Sequence, residues 1–275
     1  MIEVLVTGGA GFIGSNFVRD GLARHADWRV TTLDKLTYAG RRENLHDVID
    51  HPRHRFVQIS TDEVYGSVAE GSSSETDELR PRNPYSASKA GADRLAYSYW
   101  ATHEVPVIIT RASNNYGPYQ FPEKVIPLFV TNLIDDIQVP LYGDGGNVRD
   151  WLHVNDHCRA LDLLIHEGSS GEVYNIGGGN EVKNVDLTHT LLRLVGKDES
   201  LIRRVEDRKG HDRRYSVSTA KLRGMGWKPG VAFEQGLQDT VAWYQQNEWW
   251  WRPVKERDPQ YQAYMQQQYG ARKAH

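Results

Sequence analysis

Two short stretches of the chain carry side chains able to move protons. Ile59-Ser60-Thr61-Asp62-Glu63-Val64-Tyr65-Gly66 is an apolar strand end that opens into a hydroxyl and two carboxyls. Further along stands Tyr85-Ser86-Ala87-Ser88-Lys89, a tyrosine and a lysine four apart. On a helix that spacing puts both on one face, so the ammonium stabilises the phenolate and draws its pKa toward neutrality. Tyr85 then becomes a usable base. Neighbouring carboxyls titrate apart, which gives one protonated acid and one ionised base in Asp62 and Glu63. Taken alone, each stretch has a plainer reading: a surface Tyr–Lys pair on an amphipathic helix, and an acidic loop at a strand end.

Positioning such groups takes strands and helices, and the N-terminus supplies the first of them. Ile2 to Val6 is an apolar, β-branched run, broken by Thr7-Gly8-Gly9-Ala10-Gly11-Phe12-Ile13-Gly14, after which Phe17, Val18 and Leu22 recur at helical spacing. Strand, tight turn and helix is the arrangement that lets a pyrophosphate approach a glycine-rich backbone and meet the positive end of a helix. Gly8, Gly11 and Gly14 occupy the turn. A second strand, Arg29 to Leu33, ends in Asp34, twenty residues after Gly14, where a carboxylate accepts hydrogen bonds from ribose hydroxyls and repels a 2'-phosphate. NAD is thereby favoured over NADP. Asn83-Pro84 suits a helix start, because proline in the first turn gives up no needed hydrogen bond.

The second half reads as a substrate region. A buried strand, Val105 to Thr110, leads into Asn114-Asn115-Tyr116-Gly117-Pro118-Tyr119, where the Gly-Pro step implies a loop rich in amide donors. Arg208, His211, Asp212 and Arg213 form a basic cluster whose guanidinium forks match phosphate oxygens, or else a solvated loop. His153 and His157, four apart, have metal-ligand spacing on a helix, but the strand-like Trp151 to Val154 argues for structural histidines and no metal. Residues 156–166 and 185–195 read as amphipathic helices, Trp243, Tyr244 and Trp249 to Trp251 as packing anchors, and the Gln-rich tail from Asp258 as peripheral.

In order along nearly the whole chain, TGGAGFIG, DKLTYAG, STDEVYG, NPYSASK, NNYGPYQFPEKVIPL, RDWLHV, YNIGG and DRKGHDRRY resemble the dTDP-glucose 4,6-dehydratase family of extended short-chain dehydrogenases. That resemblance implies an α/β fold, a Rossmann-like doubly wound parallel sheet with a smaller α+β substrate lobe. It implies that Tyr85 takes the proton of the sugar 4-hydroxyl as hydride leaves C4 for NAD, with Thr61 holding the same oxygen and Lys89 supporting the phenolate. Glu63 would then abstract the C5 proton while Asp62 protonates the departing 6-hydroxyl, before the hydride returns to C6. Cofactor contacts fall on Gly8, Gly11, Phe12, Ile13, Gly14, Asp34, Lys35, Thr37, Tyr85 and Lys89. Those to the nucleotide sugar fall on Asn114, Asn115, Glu123, Lys124, Tyr142, Arg149, Asn184, Arg208 and His211. The substrate would be dTDP-glucose, and a homodimer is the expected assembly.

The chain departs from the family pattern in one place. Between Asp34 and the STDEVYG strand the family runs through two further strands and their helices, whereas here Arg55-Phe56-Val57-Gln58 joins Ile59-Ser60-Thr61 directly. The dinucleotide-binding domain, expected over 1–112, is therefore shortened between Phe56 and Ile59, and the fused strand is expected to pair against Val4 to Val6. Residues 113–275 should form mainly the substrate lobe, with segments returning to the large domain. At 275 residues and net charge -3 the chain is long enough for a large core and lacks the basic field that nucleic-acid binding needs. Cys158 is the only cysteine, which excludes an intramolecular disulfide, and no 18-residue apolar run suggests a membrane span, so a cytoplasmic enzyme is expected. Two other readings stay open: a non-catalytic remnant that still binds nucleotide sugar, and an epimerase or decarboxylase of nucleotide sugars.

Overall fold

The computed structural model describes residues 2–7, 9–33, 44, 60–103, 107–208 and 210–270. Gly8, Asp34, Lys35, Thr37 and the junction between Phe56 and Ile59 lie outside the described residues.

Strand β1 (Ile2–Thr7), helix α1 (Phe12–Arg24) and strand β2 (Trp28–Leu33) form the expected strand–turn–helix–strand unit. Its strands are parallel and pair from Ile2↔Trp28 to Thr7↔Leu33. Phe17, Val18 and Leu22, the residues at helical spacing, are buried with Val4, Val6, Trp28 and Val30. A second parallel sheet has the order β3-β4-β8, from β3 (Ser60–Thr61), β4 (Ile109–Ala112) and β8 (Val173–Ile176). The strand expected over Val105 to Thr110 thus runs later, and its first two positions lie outside the described residues. The described end of the fused strand does not pair with β1. Ser60 and Thr61 pair with Arg111 and Ala112, because β8 takes one edge of β4 and leaves the other to them.

Beyond β3 the chain makes a short 3-10 helix, Asp62–Tyr65, that stops at Gly66. There φ is +77°, and a Cβ would lie 2.4 Å from the Arg80 carbonyl oxygen, so only glycine fits. Helix α2 (Pro84–His103) follows. The remaining elements are β5 (Asn114–Tyr116), α3 (Val125–Ile134), β6 (Val139–Tyr142), β7 (Val148–His153), α4 (Val154–Glu167), β9 (Glu181–Lys183), α5 (Asn184–Val195), β10 (Ile202–Val205), α6 (Ala220–Gly224), α7 (Phe233–Gln246), α8 (Glu248–Arg257) and α9 (Pro259–Met265). β7 pairs parallel with β5 and antiparallel with β9, and β6 pairs parallel with β10. Asn114 to Tyr116, expected as loop, is a strand because β7 offers it an edge. The loop begins at Gly117, whose φ of +140° and closeness to Val154 (2.7 Å from an added Cβ) exclude a side chain.

Among the described residues two large apolar cores result, beside two small clusters around Val64 and Phe121. One joins β1, α1 and β2 to α4, β8, Leu222 and Trp227. The other gathers α3, α5, α7 and α8 around Trp151, Trp250 and Trp251, which confirms the tryptophans as anchors, although Trp249 is exposed. Helix α1 lies on α4, where Asp162 meets Arg24 and accepts a hydrogen bond from His25 at 2.5 Å. This is an α/β protein of Rossmann-like type with a second, mixed layer of short strands and helices.

Candidate active site

The site is built where β3 ends. Thr61 caps the 3-10 helix, its Oγ1 accepting from Glu63 N at 3.4 Å and donating to Asp62 Oδ1 at 3.3 Å. Asp62 is 2% exposed, and its second carboxyl oxygen has no hydrogen-bond partner. Burial, reinforced by Glu63 and Asp150 and opposed by Arg149, pushes its pKa up to about 8. Asp62 therefore holds a proton at neutral pH. Glu63 accepts from Asn83 Nδ2 at 3.4 Å.

Asn83 also seats the tyrosine–lysine helix. Its Oδ1 accepts from Ser86 N at 2.9 Å, so it caps α2 with Pro84 in the first turn, as the sequence suggested. Tyr85 and Lys89 stand one turn apart on α2. Burial holds the Lys89 ammonium below the usual lysine range, with Asp93 opposing. Tyr85 is 55% exposed, because α2 buries only Ser86, Ala90 and Asp93 among its side chains.

From the carboxyl pair a polar path runs through the second layer. Arg149, buried on β7, donates to Asp212 O at 2.9 Å and lies over the Tyr215 ring. Arg208 sits over Tyr142 at 5.3 Å, and His211 meets the same ring edge-on. Asn147 links Asn184 N (2.9 Å) to His211 Nδ1 (3.4 Å). Asn114 and Asn184 each keep a buried side-chain oxygen without a partner, and Glu123, also buried, pairs with Lys124 at 2.8 Å. Asn115 is held from both ends, donating to Ser113 O and accepting from His157 Nδ1, each at 2.9 Å. Burial pushes His157 down to about 3, so its ring is neutral, while His153 caps α4 by accepting from Asn155 N. Among the described residues a different set, His25, Asp162 and His166, brings ligand-type atoms within 4.8 Å of one another, but Arg24 already neutralises that carboxylate.

At the other end, α1 begins at Gly11 without a side-chain cap and without an acidic residue in its first turn. Phe12, Ile13 and Gly14 form that turn. Asn16 donates to Pro118 O at 3.1 Å, tying α1 to the loop after β5.

The GDP-mannose 4,6 dehydratase family profile matches residues 47–240, and that of the NAD dependent epimerase/dehydratase family matches residues 4–53. A dTDP-glucose 4,6-dehydratase of Streptomyces niveus is 43% identical over 325 aligned positions, which take in 94% of this chain and 97% of that protein. The chain belongs to the dTDP-glucose 4,6-dehydratase family. Crystal structures of dTDP-glucose 4,6-dehydratases agree: one from Bacillus anthracis with NAD (43% identity, TM-score 0.89) and one from Streptomyces venezuelae with NAD and TYD (44%, TM-score 0.88). Each matches 92% of this chain and 100% of the other. With 275 residues against 325 aligned positions, this dTDP-glucose 4,6-dehydratase family member is a shortened form.

Two features of this family member escaped the sequence reading. The sequence marks Asn83 as a helix start and not as a partner of Glu63, since nothing local announces a contact across twenty residues. The tail is not peripheral as far as residue 270. Tyr261 is buried against Phe121, and Tyr269 stacks on Tyr142 with ring centres 6.0 Å apart. Tyr261 thus reaches the core and Tyr269 the Tyr142 ring, and the tyrosines spaced through the Gln-rich tail were the available signal.

Proposed function

We propose that this shortened chain is a working lyase that converts dTDP-glucose to dTDP-4-keto-6-deoxy-glucose, with NAD as its cofactor. The observation that carries the reading is Asp62, buried beside Glu63 at the end of β3, where burial pushes its pKa up to about 8. Loss of water needs an acid and a base together, which an epimerase does not.

The residues fit NAD at its pyrophosphate end. The first turn of α1 leaves backbone N–H groups for an anion, with Gly11, Phe12, Ile13 and Gly14 around it. When bound, NAD supplies a reversible hydride acceptor, so redox closes within one turnover. Tyr85 takes the proton of the sugar 4-hydroxyl at its phenolate oxygen, Lys89 supports that charge, and Thr61 donates to the same sugar oxygen. A carbonyl at C4 acidifies C5–H, which the Glu63 carboxylate removes. Asp62 gives its proton to the 6-hydroxyl as that group leaves as water. Arg149, Arg208 and His211 hold the diphosphate, Tyr142 and Asn184 the base, and Asn114, Asn115, Glu123 and Lys124 the sugar side.

The reading divides the chain at residue 112 into a dinucleotide domain and a substrate lobe, and places a homodimer in the cytoplasm with no nucleic-acid partner. Among the described residues no helix is long and apolar enough to cross a membrane. The retained acid–base pair favours this reading over a binding remnant.

The test incubates the purified chain with dTDP-glucose, with and without added NAD, and follows the 4-keto product by its absorbance in alkali. Product in the presence of NAD is expected, and none in either case sinks the lyase reading. Glu63→Gln is expected to abolish product; a chain that makes no 4-keto product, yet inverts the sugar at C4 and keeps that activity in Glu63→Gln, would favour an epimerase.

A further inference from the structure

In α2, which carries Tyr85 and Lys89, the side chains buried are small or polar: Ser86, Ala90 and Asp93. Such a surface interdigitates little, so apolar packing alone resists sliding or rotation of the helix weakly. What fixes α2 is polar. Arg111, 1% exposed on β4, donates from Nε to Asp93 Oδ2 at 2.9 Å, one helical turn beyond Lys89. From Nη1 the same guanidinium donates to the Tyr65 hydroxyl at 2.7 Å, at the end of the 3-10 helix that begins with Asp62 and Glu63.

The hydrogen arrangement is single-valued. The Tyr65 hydroxyl accepts from Arg111, so it must donate to Asn175 Oδ1, 2.8 Å away on β8. Asn175 in turn donates from Nδ2 to Ser73 O and from its backbone N to Glu75 Oε1, each at 3.0 Å. In the parallel sheet Arg111 stands between its register partners, Ser60 on one side and Asn175 on the other. A planar fork held at two corners, Nε on Asp93 and Nη1 on Tyr65 and on Glu75 O at 3.4 Å, couples the two segments as an ammonium on a flexible stem cannot.

We infer that Arg111 is a positioning residue that sets the register of the Asp62–Glu63 pair against the Tyr85–Lys89 helix, through Tyr65 on one side and Asp93 on the other. This rests on the lyase reading of the same site. None of the three residues touches the sugar; each acts on where the groups that do touch it stand. A shift of the order of 1 Å between a base and its target costs up to about a hundredfold in rate, and binding groups on the second layer are untouched by it.

The experiment measures kcat and KM for dTDP-glucose in Tyr65→Phe, Asp93→Asn and the double variant, with NAD present. Each single change keeps the side-chain shape: Tyr65→Phe removes one arm of the strut, and Asp93→Asn turns the other from a charge-assisted bond into a weaker neutral one. The expected result is a kcat lowered by about tenfold to a hundredfold with KM within about twofold of the parent. In the double variant the loss should not exceed that of the worse single, because both arms act through one guanidinium. Unchanged kcat with only a lower melting temperature, or single losses that multiply in the double, would overturn the inference. Hydrogen exchange is the second readout and needs no turnover. Asp93→Asn should speed exchange of the α2 amides from Ser86 to Asp93 while leaving α5 and α7 as they were; unchanged exchange in α2 overturns the strut. A parent that makes no product defeats the lyase reading, and the exchange measurement still decides for or against the strut.

Discussion

Asp62 differs from an ordinary aspartate only in where it sits. The backbone of β3 ends one residue earlier, and Thr61 and Glu63 turn it inward against Arg149 and Asp150. Because its pKa is raised, the folded state keeps a proton that the unfolded chain loses near pH 4, so this group's contribution to stability falls as pH rises from about 4 toward about 8. Two outcomes follow from that sign. Turnover should decline on the alkaline side above about pH 8, as the acid ionises. Asp62→Asn should lower kcat by about 10² to 10⁴ yet melt at a higher temperature than the parent at pH 8 and at an equal one at pH 4, as read by calorimetry. That Asp62 and Glu63 stand together at the end of β3 was legible because the two are adjacent in the chain. Asn83 and Arg111 were not, since each acquires its role from a partner at least 18 residues away, a relation that spacing does not encode.

At the level of elements, local signals served well where an element is closed by its own residues. The Asn83–Pro84 start of α2, the glycine turn before α1 and the periodicity of α4 and α5 all lie where pattern and capping chemistry put them. They failed where a neighbour decides: β5 is a strand because β7 lies beside it, and the tail is packed because Phe121 and Tyr142 receive its rings. Asn83 joins cap and site, which makes it a test of their coupling. Asn83→Ala should cost about 1 kcal/mol of stability through the lost cap, seen as a lower midpoint in urea. It should also reduce kcat beyond the fraction unfolded, because Glu63 loses its donor. A kcat that tracks the folded fraction alone would separate the two roles.

For the molecule as a whole, the parallel fold class was legible from the alternation of strand, glycine turn and helix, while the division of the sheet was not. Among the described residues β1 has β2 as its strand neighbour, and Ser60–Thr61 belongs to a different sheet. Among the described residues the N-terminal unit is held to the rest by side chains: the shared core with α4, the Arg24 and His25 contacts to Asp162, Asn16 on Pro118, and Asn44, which donates to Ala10 O and accepts from Trp250 Nε1 at 2.8 Å. Trp250→Phe should therefore weaken NAD retention, measured as the cofactor released on denaturing the purified protein, while leaving the α3–α5–α7 core folded. A ladder of backbone bonds across a sheet breaks only all together, whereas a seam of side chains can part on its own. The N-terminal unit is thus expected to open as a foldon below the global unfolding free energy, and a dinucleotide that binds only the closed form would act as the clasp that shuts it.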